Sequence, residues 1–313
     1  MQRRHLVMVM DDIAQINIVK DTTFALLLEG QRRGYELLYL NESQLYLDGD
    51  RAAGLVRPLR VCDDRAGWFE LGEPSHHAFG GSDLIMMRAD PPVDSDYLHA
   101  TYLLEQAEAH GALVVNRPRA LRDFNEKLAI ARFPDWIPAT LVSASHARLR
   151  EFVQAHGQAV LKPLDGMGGR GIFLARRDDP NLNSMMEALT GGEQRPAMIQ
   201  EYLPAISEGD KRVLMIDGTP VEYVLARIPG GQDFRGNLAR GGRGEGRPLS
   251  EADRAVAEAV GPTLKAHGIA LAGLDVIGDR LTEVNVTSPT CMRELDGQFG
   301  LNLAGRLFDA VDP

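Results

Sequence analysis

The chain carries, at residues 273–285, the stretch GLDVIGDRLTEVN, in which acidic and amide side chains are set into apolar runs typical of buried strands. A buried carboxylate must be matched by a cation. Glu283 and Asn285 stand two residues apart on a predicted strand, so their side chains share one face. Oxygen ligands at this spacing suit Mg²⁺ better than zinc, and the stretch therefore predicts a metal site.

Whether Asp275 joins that site depends on the register of the hairpin. A three-residue turn at 278–280 pairs Asp275 with Glu283 on one face, whereas a two-residue turn would point Asp275 away. We predict the three-residue turn, and with it a metal site of Asp275, Glu283 and Asn285. The alternative is a half-exposed hairpin whose polar side chains only face water. Other segments have to decide between the two.

The composition is that of an ordinary globular protein. Its 313 residues are 44% hydrophobic, which is enough apolar material for two or three domains. A net charge of −10 argues against a general nucleic-acid binder, because phosphate backbones need clustered Lys and Arg. Cys62 and Cys291 are too few for a disulfide scaffold, which fits a reducing compartment. The apolar run at 6–10 is too short for a signal peptide, so we expect a cytoplasmic protein.

The first part of the chain alternates strand and helix signals. Strands are predicted at 6–10, 35–40, 83–88 and 113–116, and helices at 22–33 and 97–110. This βαβ pattern predicts an open, mainly parallel sheet in an α/β domain of residues 1–122. Between these elements, 44–56 has the pattern of a hairpin, and 63–81 is predicted to be an irregular excursion to which we assign no chemistry.

The rest of the chain predicts two smaller α+β units. Pro134 and Pro138 interrupt the chain after a short helical stretch, and a boundary is expected near Arg122. A central unit of residues 123–200 and a last unit of 201–313 follow, with strands at 139–142, 159–162, 172–174, 197–201, 213–216 and 221–227 and helices at 145–157, 181–190 and 251–267. Ser250 and Asp253 form a predicted capping box that opens the last of these helices.

A glycine-rich turn between two predicted strands is a candidate phosphate loop. It runs Asp165-Gly166-Met167-Gly168-Gly169-Arg170-Gly171, and its glycines allow backbone N–H groups to wrap around phosphate oxygens. A strand follows the turn, unlike the Walker loop and the dinucleotide fingerprint, which both open a helix. The alternative is a flexible turn. Lys162 favours the phosphate loop, because an ammonium among apolar neighbours is costly unless an anion meets it.

Weaker signals extend this candidate nucleotide site. Lys127 is a second candidate cation, although a lysine on a short helix is most often solvated. The segment Gln200-Glu201-Tyr202-Leu203 leaves a strand and bends at Pro204, which would leave edge N–H and C=O groups free to pair with an adenine ring. Asp210 follows within reach of a ribose.

Together these motifs resemble one protein family. The resemblance is carried, in chain order, by Val9-Met10-Asp11, Lys20-Asp21, Arg88-Ala89-Asp90-Pro91-Pro92, Asn125-Glu126-Lys127, Leu161-Lys162-Pro163-Leu164-Asp165-Gly166-Met167-Gly168-Gly169, Gly209-Asp210-Lys211-Arg212, Arg235-Gly236-Asn237 and Glu283-Val284-Asn285-Val286-Thr287-Ser288-Pro289-Thr290. From about Leu6 to the C-terminal helix, the chain is similar to bacterial-type glutathione synthetase, a family of ATP-grasp ligases. Asp12 departs from the family, which commonly has proline after Met-Asp.

The resemblance implies an ATP-grasp fold, of α/β and α+β class, with the N-terminal domain on the substrate side. ATP would lie between the central and last domains. Its expected contacts are Lys127, Lys162, Asp165, Gly166, Met167, Gly168, Gly169, Gln200, Glu201, Tyr202, Leu203 and Asp210. Mg²⁺, or possibly Mn²⁺ in its place, would be held by Asp275, Glu283 and Asn285. The expected partners are small molecules and a second copy of the chain, since homo-oligomers are common in the family; no nucleic acid and no membrane is expected.

The resemblance also implies the reaction. The cysteinyl carboxylate of γ-glutamylcysteine attacks the γ-phosphate of ATP, and the amine of glycine then displaces phosphate from the acyl phosphate to give glutathione. Lys162, Arg212 and Arg235 are expected to offset charge on the transferred group. The expected substrate contacts are Arg88, Arg212, Arg227, Arg235, Ser288, Pro289 and Thr290. No protein nucleophile is needed, so Cys291 is expected to act as a small buried hydrophobe.

The loop at 228–246 concentrates glycine, and Arg227, Arg235, Arg240 and Arg243 crowd it. We predict a cationic lid, because an acyl phosphate is lost to water unless it is shielded. The alternative is a solvated loop without a function.

Two other functions stay open at this point. A ligase of the same architecture can join other substrates, such as two D-amino acids or an amino acid and a protein tail, because the ATP half does not identify the acceptor. A regulator that binds nucleotide without turnover is the other candidate. The three metal-ligating oxygens on one face disfavour the regulator, since a pure binder has less need of them.

Overall fold

Three β-sheets, of eight, four and five strands, organise the part of the chain that the structure describes. The structure is a computed structural model, and it describes residues 4–230, 236 and 243–313. The first sheet and its helices comprise β1 His5–Val9, α1 Thr22–Arg32, β2 Glu36–Leu40, β3 Leu45–Asp48, β4 Arg51–Val61, β5 Phe69–Leu71, β6 Ser75–Ala78, β7 Asp83–Met87, α2 Ser95–Ala109, β8 Leu113–Val115 and α3 Pro118–Asp123.

The centre of the first sheet is parallel, as the βαβ pattern predicts. Strands β2, β1, β7 and β8 lie side by side in that order and pair in parallel. Alternate residues face opposite sides: Val7 and Ile85 pack with the α2 side chains, and Leu6 and Leu84 pack with those of α1. Both faces are therefore buried, which explains why these strands are continuous apolar runs.

The segment 63–81 is more regular than the sequence predicts. It contains β5 and β6, which pair antiparallel with β4 and extend the parallel sheet on one side. These strands are three and four residues long, too short to show an alternating pattern. Pairing with the eleven-residue β4 stabilises them, so tertiary structure decides their conformation.

The remaining two sheets are antiparallel. The central one has the order β11-β10-β12-β9 and the last one has the order β15-β14-β13-β16-β17. Their elements are β9 Thr140–Ser143, α4 His146–His156, β10 Gln158–Pro163, β11 Phe173–Arg176, α5 Leu182–Thr190, β12 Ala197–Glu201, β13 Asp210–Ile216, β14 Thr219–Ile228, β15 Arg243–Pro248, α6 Glu251–His267, β16 Leu271–Ile277, β17 Arg280–Asn285, α7 Met292–Phe299 and α8 Leu303–Val311. The predicted capping box of Ser250 and Asp253 is confirmed at the start of α6.

The end of the chain returns to the N-terminal sheet. Phe308 of α8 lies with its ring centroid 5.6 Å from that of Tyr35, and Arg33 donates a hydrogen bond of 2.9 Å to the Gly305 carbonyl. The division into residues 1–122, 123–200 and 201–313 stays a prediction. No described helix is both long enough and apolar enough to cross a bilayer.

The hairpin of β16 and β17 corrects one prediction and confirms another. Ile277 pairs with Arg280, so the turn has two residues and the predicted three-residue turn is wrong. Gly278 has φ +63°, as the first position of a type II′ turn requires. Asp275 nevertheless pairs with Glu283, because a β-bulge at Thr282 inserts one residue and restores the register. The Thr282 hydroxyl donates to the Asp275 carbonyl at 3.1 Å and holds the bulge.

Two glycines in helices give a matched test of the packing. A Cβ on Gly261 of α6 would lie 2.1 Å from the Gly218 carbonyl oxygen, whereas a Cβ on Gly297 of α7 would meet nothing within 4 Å. We expect Gly261→Ala to lower the free energy of unfolding by about 1–3 kcal/mol, because backbone must move. Gly297→Ala should raise it by about 0.4–1 kcal/mol. Urea unfolding measures both, and a Gly261→Ala protein as stable as the parent contradicts the close approach.

Candidate functional site

Two cavities meet on the same face of the β16–β17 hairpin. The first lies between the central and last sheets, and the second lies between the last sheet and the carboxyl ends of β1 and β7. The residues that line both are Gly166, Met167, Gly168, Arg170, Asp275 and Glu283. The glycine-rich turn and two of the predicted metal ligands therefore stand at the junction.

Two buried lysines face the first cavity. Lys162 of β10 is 8% exposed and Lys127 is 4% exposed, and the Nζ of each lies 3.8 Å from Glu283 Oε1. Lys127 also donates a hydrogen bond of 2.6 Å to the Gly166 carbonyl. Burial lowers the pKa of Lys162, and the neighbouring Glu283 opposes that shift. Two ammonium groups against one carboxylate make this wall suitable for an anion.

The glycine-rich turn between β10 and β11 depends on its glycines. Gly168, Gly169 and Gly171 have φ of +59°, +73° and +68°, a region that other residues rarely adopt. A Cβ on Gly166 would lie 2.7 Å from a side-chain carbon of Pro163. Asp165 lines the second cavity and not the first. The glycines therefore allow the backbone of the turn to approach the first cavity.

Fewer backbone groups of the predicted adenine edge are free to pair with a base than the sequence predicts. Strand β12 is an inner strand, covered by β9 and β10, and the N–H groups of Glu201 and Tyr202 already donate to Ala139 and Gln158 carbonyls at 3.0 and 3.4 Å. Within the described part of the chain, the Leu203 N–H has no protein acceptor. The sequence did not reveal the partner β9, whose pairing with β12 joins residues almost sixty positions apart.

Asp210 presents an unsatisfied oxygen to the first cavity. Its Oδ2 accepts a hydrogen bond from Arg227 at 2.5 Å, whereas its buried Oδ1 has no partner among the residues described. Burial raises the pKa of Asp210, although the guanidinium of Arg227 opposes this. A buried acceptor without a donor is costly, so Oδ1 fits a ligand hydroxyl group.

Asp275 is enclosed by two arginines, a feature that the sequence did not suggest. Arg212 Nε donates to Asp275 Oδ1 at 2.6 Å, and Arg227 lies 2.9 Å from Oδ2. Burial alone would raise the pKa of Asp275, but the two guanidinium groups hold it well below its usual range. Arg212 and Asp275 meet because they stand opposite each other in the register of β13 and β16, and the sequence does not reveal that register.

The predicted metal ligands have the chemistry of a hard-cation site. Asp275 and Glu283 are cross-strand partners, and Asn285 lies two residues further along the same face. Asn285 donates its Nδ2 to the Gly273 carbonyl at 3.1 Å, which leaves its Oδ1 available. Three oxygen donors with one oriented amide suit Mg²⁺ or Mn²⁺, so the residues present fit such an ion.

The second cavity has a buried arginine at its base. Arg88 donates to Thr23 Oγ1 at 3.1 Å and to the Pro289 carbonyl at 3.0 Å, and burial lowers its pKa. The Ser288 hydroxyl donates to Asp90 Oδ1. The predicted substrate residues of the two distant motifs, Arg88 and 288–290, are thus in contact.

Glu126 is a site residue that the sequence analysis missed. Its Oε1 accepts hydrogen bonds from Val286 N–H at 3.0 Å, from Thr287 N–H at 3.2 Å and from Thr287 Oγ1 at 2.8 Å. Burial raises its pKa, which these hydrogen bonds oppose. Only its place beside Lys127 in the Asn125-Glu126-Lys127 motif gave a signal. It positions the strand end that precedes 288–290.

The remaining predictions concern Cys291 and the lid. Cys291 is 1% exposed and burial raises the pKa of its thiol, in keeping with a buried hydrophobe. Arg235 and Arg240 lie outside the described residues, as does most of the predicted lid at 228–246. Arg243 is exposed on β15 and pairs with Glu245 at 2.8 Å.

Comparison with known proteins gives a consistent result along the chain. The model of the prokaryotic glutathione synthetase N-terminal domain matches residues 5–122, and that of the prokaryotic glutathione synthetase ATP-grasp domain matches residues 126–300. The chain is 58% identical over 307 residues to a glutathione synthetase of Xanthomonas campestris pv. campestris, covering 98% of this chain and 97% of the relative. It is 53% identical over 304 residues to that of Salmonella typhi, covering 97% and 96%.

Solved structures share the fold at low identity. The D-cycloserine synthetase DcsG superposes with a TM-score of 0.65 at 16% identity, covering 96% of this chain and 99% of that one. The ATP-grasp ligase PsnB, complexed with minimal precursor, superposes with a TM-score of 0.62 at 19% identity, covering 99% of both. At this identity the likeness shows an ATP-grasp fold and no more.

An acidic group beside the second cavity gives a pH-dependent prediction. Glu42 Oε1 is buried without a partner among the described residues, and burial, together with Asp11, Asp94 and Asp96, raises the pKa of Glu42 to about 7. Ionisation therefore costs more in the folded protein than in the unfolded one, so stability is lost as the pH rises from about 4.5 through 7.

Replacement of Glu42 by Gln removes this ionisation. We expect Glu42→Gln to be more stable than the parent at pH 8 and equally stable near pH 4.5, as measured by urea unfolding midpoints. Glu73→Gln, at an exposed loop position, is the matched control and should show no such pH-dependent gain. An equal difference from the parent at both pH values would contradict the assignment.

Proposed function

Because the chain belongs to the prokaryotic glutathione synthetase family, and is therefore an ATP-dependent ligase that forms glutathione, we propose that its two cavities hold ATP and γ-glutamylcysteine. The family, fold and activity predicted from the sequence are confirmed by these relationships. The two other functions considered, a ligase for different substrates and a regulator without turnover, are set aside by identity of 53–58% over nearly the whole chain. The roles of individual residues are the substance of the proposal.

One observation supports this division of labour most strongly. Glu283 and the glycine-rich turn line both cavities, with buried lysines on one side and buried arginines on the other. ATP carries about four negative charges and the dipeptide carries two carboxylates, so both substrates need cations in an otherwise acidic chain. The γ-phosphate and the reacting carboxylate would meet at the junction.

In the first cavity, different residues bind the phosphates, the adenine and the ribose of ATP. Lys127 and Lys162 neutralise the phosphates, and the backbone from Gly166 to Gly169 lies against them. The free N–H of Leu203 pairs with the adenine edge, and the orphaned Asp210 Oδ1 accepts from a ribose hydroxyl. The hydrogen-bonded Gln200, Glu201 and Tyr202 form the wall behind the base.

The metal ligands sit where phosphate charge develops. Asp275, Glu283 and Asn285 would hold Mg²⁺ or Mn²⁺, which when bound supplies charge neutralisation for phosphoryl transfer. Arg212 and Arg227 orient the Asp275 carboxylate and keep it ionised.

Chemistry at the junction requires positioning rather than a protein nucleophile. A carboxylate oxygen of the cysteinyl residue attacks the γ-phosphorus, a new P–O bond forms, and ADP leaves. The amine of glycine then attacks the acyl carbon, and phosphate leaves with the C–O bond electrons. Lys162 and Arg212 stay cationic and offset charge on the transferred group. Arg88 holds a peptide carboxylate, and 288–290 lie beside the acceptor glycine.

We also propose the compartment and the assembly state of the enzyme. Cys62 and Cys291 are both free thiols, which fits the reducing cytoplasm. We propose that the enzyme forms homo-oligomers, because the family resemblance predicts them. Arg235 lies outside the described residues, so its catalytic role stays a prediction from the sequence.

The metal assignment predicts a large loss of turnover in one variant. ADP formation should require ATP, Mg²⁺ and γ-glutamylcysteine, and the release of phosphate together with glutathione formation should require glycine as well. Glu283→Gln should lower kcat by about two orders of magnitude, because a charged ligand at the transferring phosphate is lost. Asp279→Asn, in the exposed turn of the same hairpin, is the control and should retain parental kcat. Full activity of Glu283→Gln would refute the metal site.

The division between cavities predicts a selective effect at Arg88. Arg88→Lys keeps a positive charge but loses the planar hydrogen-bonding geometry of arginine. We expect the KM for γ-glutamylcysteine to rise about tenfold, the value of one charged hydrogen bond, while the KM for ATP stays unchanged. Arg60→Lys, exposed on β4, is the control. Equal rises in both KM values would show that Arg88 does not belong to a separate dipeptide site.

A further inference from the structure

The edge of the N-terminal sheet that lies away from the reaction carries a second cluster of ligating side chains. The second cavity follows the carboxyl ends of β1 and β7, at Met10 to Asp12 and Arg88 to Pro92. His5 and Asp83 begin those same two strands and are direct partners in the parallel register. Because β1 is five residues long, the two edges are about 16 Å apart.

Two imidazoles converge there on one carboxylate oxygen. His5 Nδ1 lies 2.7 Å and His77 Nε2 lies 3.0 Å from Asp83 Oδ1, and all three atoms lie within 4.8 Å of one another. The Asp83 side chain is 1% exposed, whereas those of His5 and His77 are 19% and 23% exposed. The two imidazole rings are therefore partly open to solvent, while the carboxylate is buried beneath them.

The surroundings of the cluster already resemble the outer layer of a metal site. Asp83 Oδ2 accepts a hydrogen bond of 2.7 Å from the Gly80 N–H, which fixes the carboxylate. The outward nitrogen of His5, Nε2, lies 3.7 Å from Glu36 Oε2. Metal-binding histidines commonly donate their other ring N–H to a carboxylate, which sets the tautomer. The His5 and His77 rings meet edge to face at 4.9 Å, which restricts both.

We propose that His5, His77 and Asp83 bind a divalent transition-metal ion of the zinc class, at a site separate from the oxygen ligands of the reaction centre. Two imidazole nitrogens and one carboxylate oxygen are a donor set that zinc favours and that Mg²⁺ does not. Solvent supplies the fourth ligand.

The observed geometry needs only a small adjustment. Zinc bonds of about 2.0–2.1 Å in a tetrahedron place ligand atoms about 3.3–3.4 Å apart. The two nitrogen–oxygen separations are now those of hydrogen bonds, so each opens by about half an ångström, while the two nitrogens, which lie within 4.8 Å of each other, take up the tetrahedral separation. The ring protons that now face Asp83 move to the outward nitrogens, where Glu36 can accept the one on His5, and no net proton release is required.

The ion would act as a structural staple. His77 lies on β6, in the segment 63–81, and the two short strands of this segment pair with β4. His5 and Asp83 lie on β1 and β7, two neighbouring inner strands of the sheet. A metal bond between them would fix the segment to the sheet, without contact with either reaction cavity.

The test counts zinc ions on the full-length protein while the reaction centre is occupied. Protein saturated with Mg²⁺ and a non-hydrolysable ATP analogue is dialysed against graded Zn²⁺, and bound zinc is measured. We expect one zinc equivalent on the parent, and affinity at least tenfold weaker in His5→Gln and His77→Gln. His76→Gln is the matched control, because His76 is adjacent on β6 and contacts Tyr46 instead, with 2.9 Å between its Nδ1 and the Tyr46 hydroxyl.

Further readouts separate a metal site from a hydrogen-bonded clamp. Glu36→Gln should weaken zinc binding by about 10–100-fold, as outer carboxylates do. Zinc should raise the thermal midpoint of the parent and of His76→Gln but not of His77→Gln, whose Mg²⁺-dependent activity confirms that it is folded. The proposal fails if the parent binds no zinc under these conditions, if His5→Gln and His77→Gln bind it as the parent does, or if Glu283→Gln alone abolishes binding.

Discussion

The burial of Asp275 between Arg212 and Arg227 is the interaction on which the rest of the site depends. Asp210 also pairs with Arg227. These two acidic and two basic side chains carry no net charge together, and they connect β13, β14 and β16. Removing one member of a buried pair leaves an uncompensated charge and typically costs about 3–5 kcal/mol. The group therefore sets the register of three strands and, with it, the direction in which the face of Asp275 and Glu283 points.

Contacts between distant segments then bring to that face the cationic side chains that we propose bind the substrates. Glu126 binds the backbone at 286–287, which places its neighbour Lys127 near Glu283. Asn116, at the end of β8, donates to the Leu271 and Val286 carbonyls at 2.7 Å each, and this joins the N-terminal sheet to the last one. Because these buried polar groups are satisfied only when the first and last sheets are in place, the second cavity, which lies between those sheets, depends on both contacts.

The ligase is acidic overall and yet handles two anionic substrates. Its resolution of this conflict is local: Lys127, Lys162 and Arg88 are all buried, and the two lysines share the single carboxylate of Glu283. Burial lowers the pKa of Lys162, and a bound phosphate would favour its charged form. The buried cationic side chains are thus concentrated near the junction of the cavities, where charge would move during the proposed reaction.

The sequence by itself determined the parallel centre of the first sheet, the glycine-rich turn, the common face of Glu283 and Asn285 and the family, because each rests on local periodicity, glycine spacing or an ordered set of motifs. Glu283 and Asn285 share a face in any strand, whatever surrounds it. Tertiary structure alone decided the bulge at Thr282, the strands at Phe69–Leu71 and Ser75–Ala78, the covered edge at Gln200 and the pairing of Asp275 with its two arginines. These features depend on partners far along the chain, and local sequence carries no record of which partner a strand edge or a buried charge will meet.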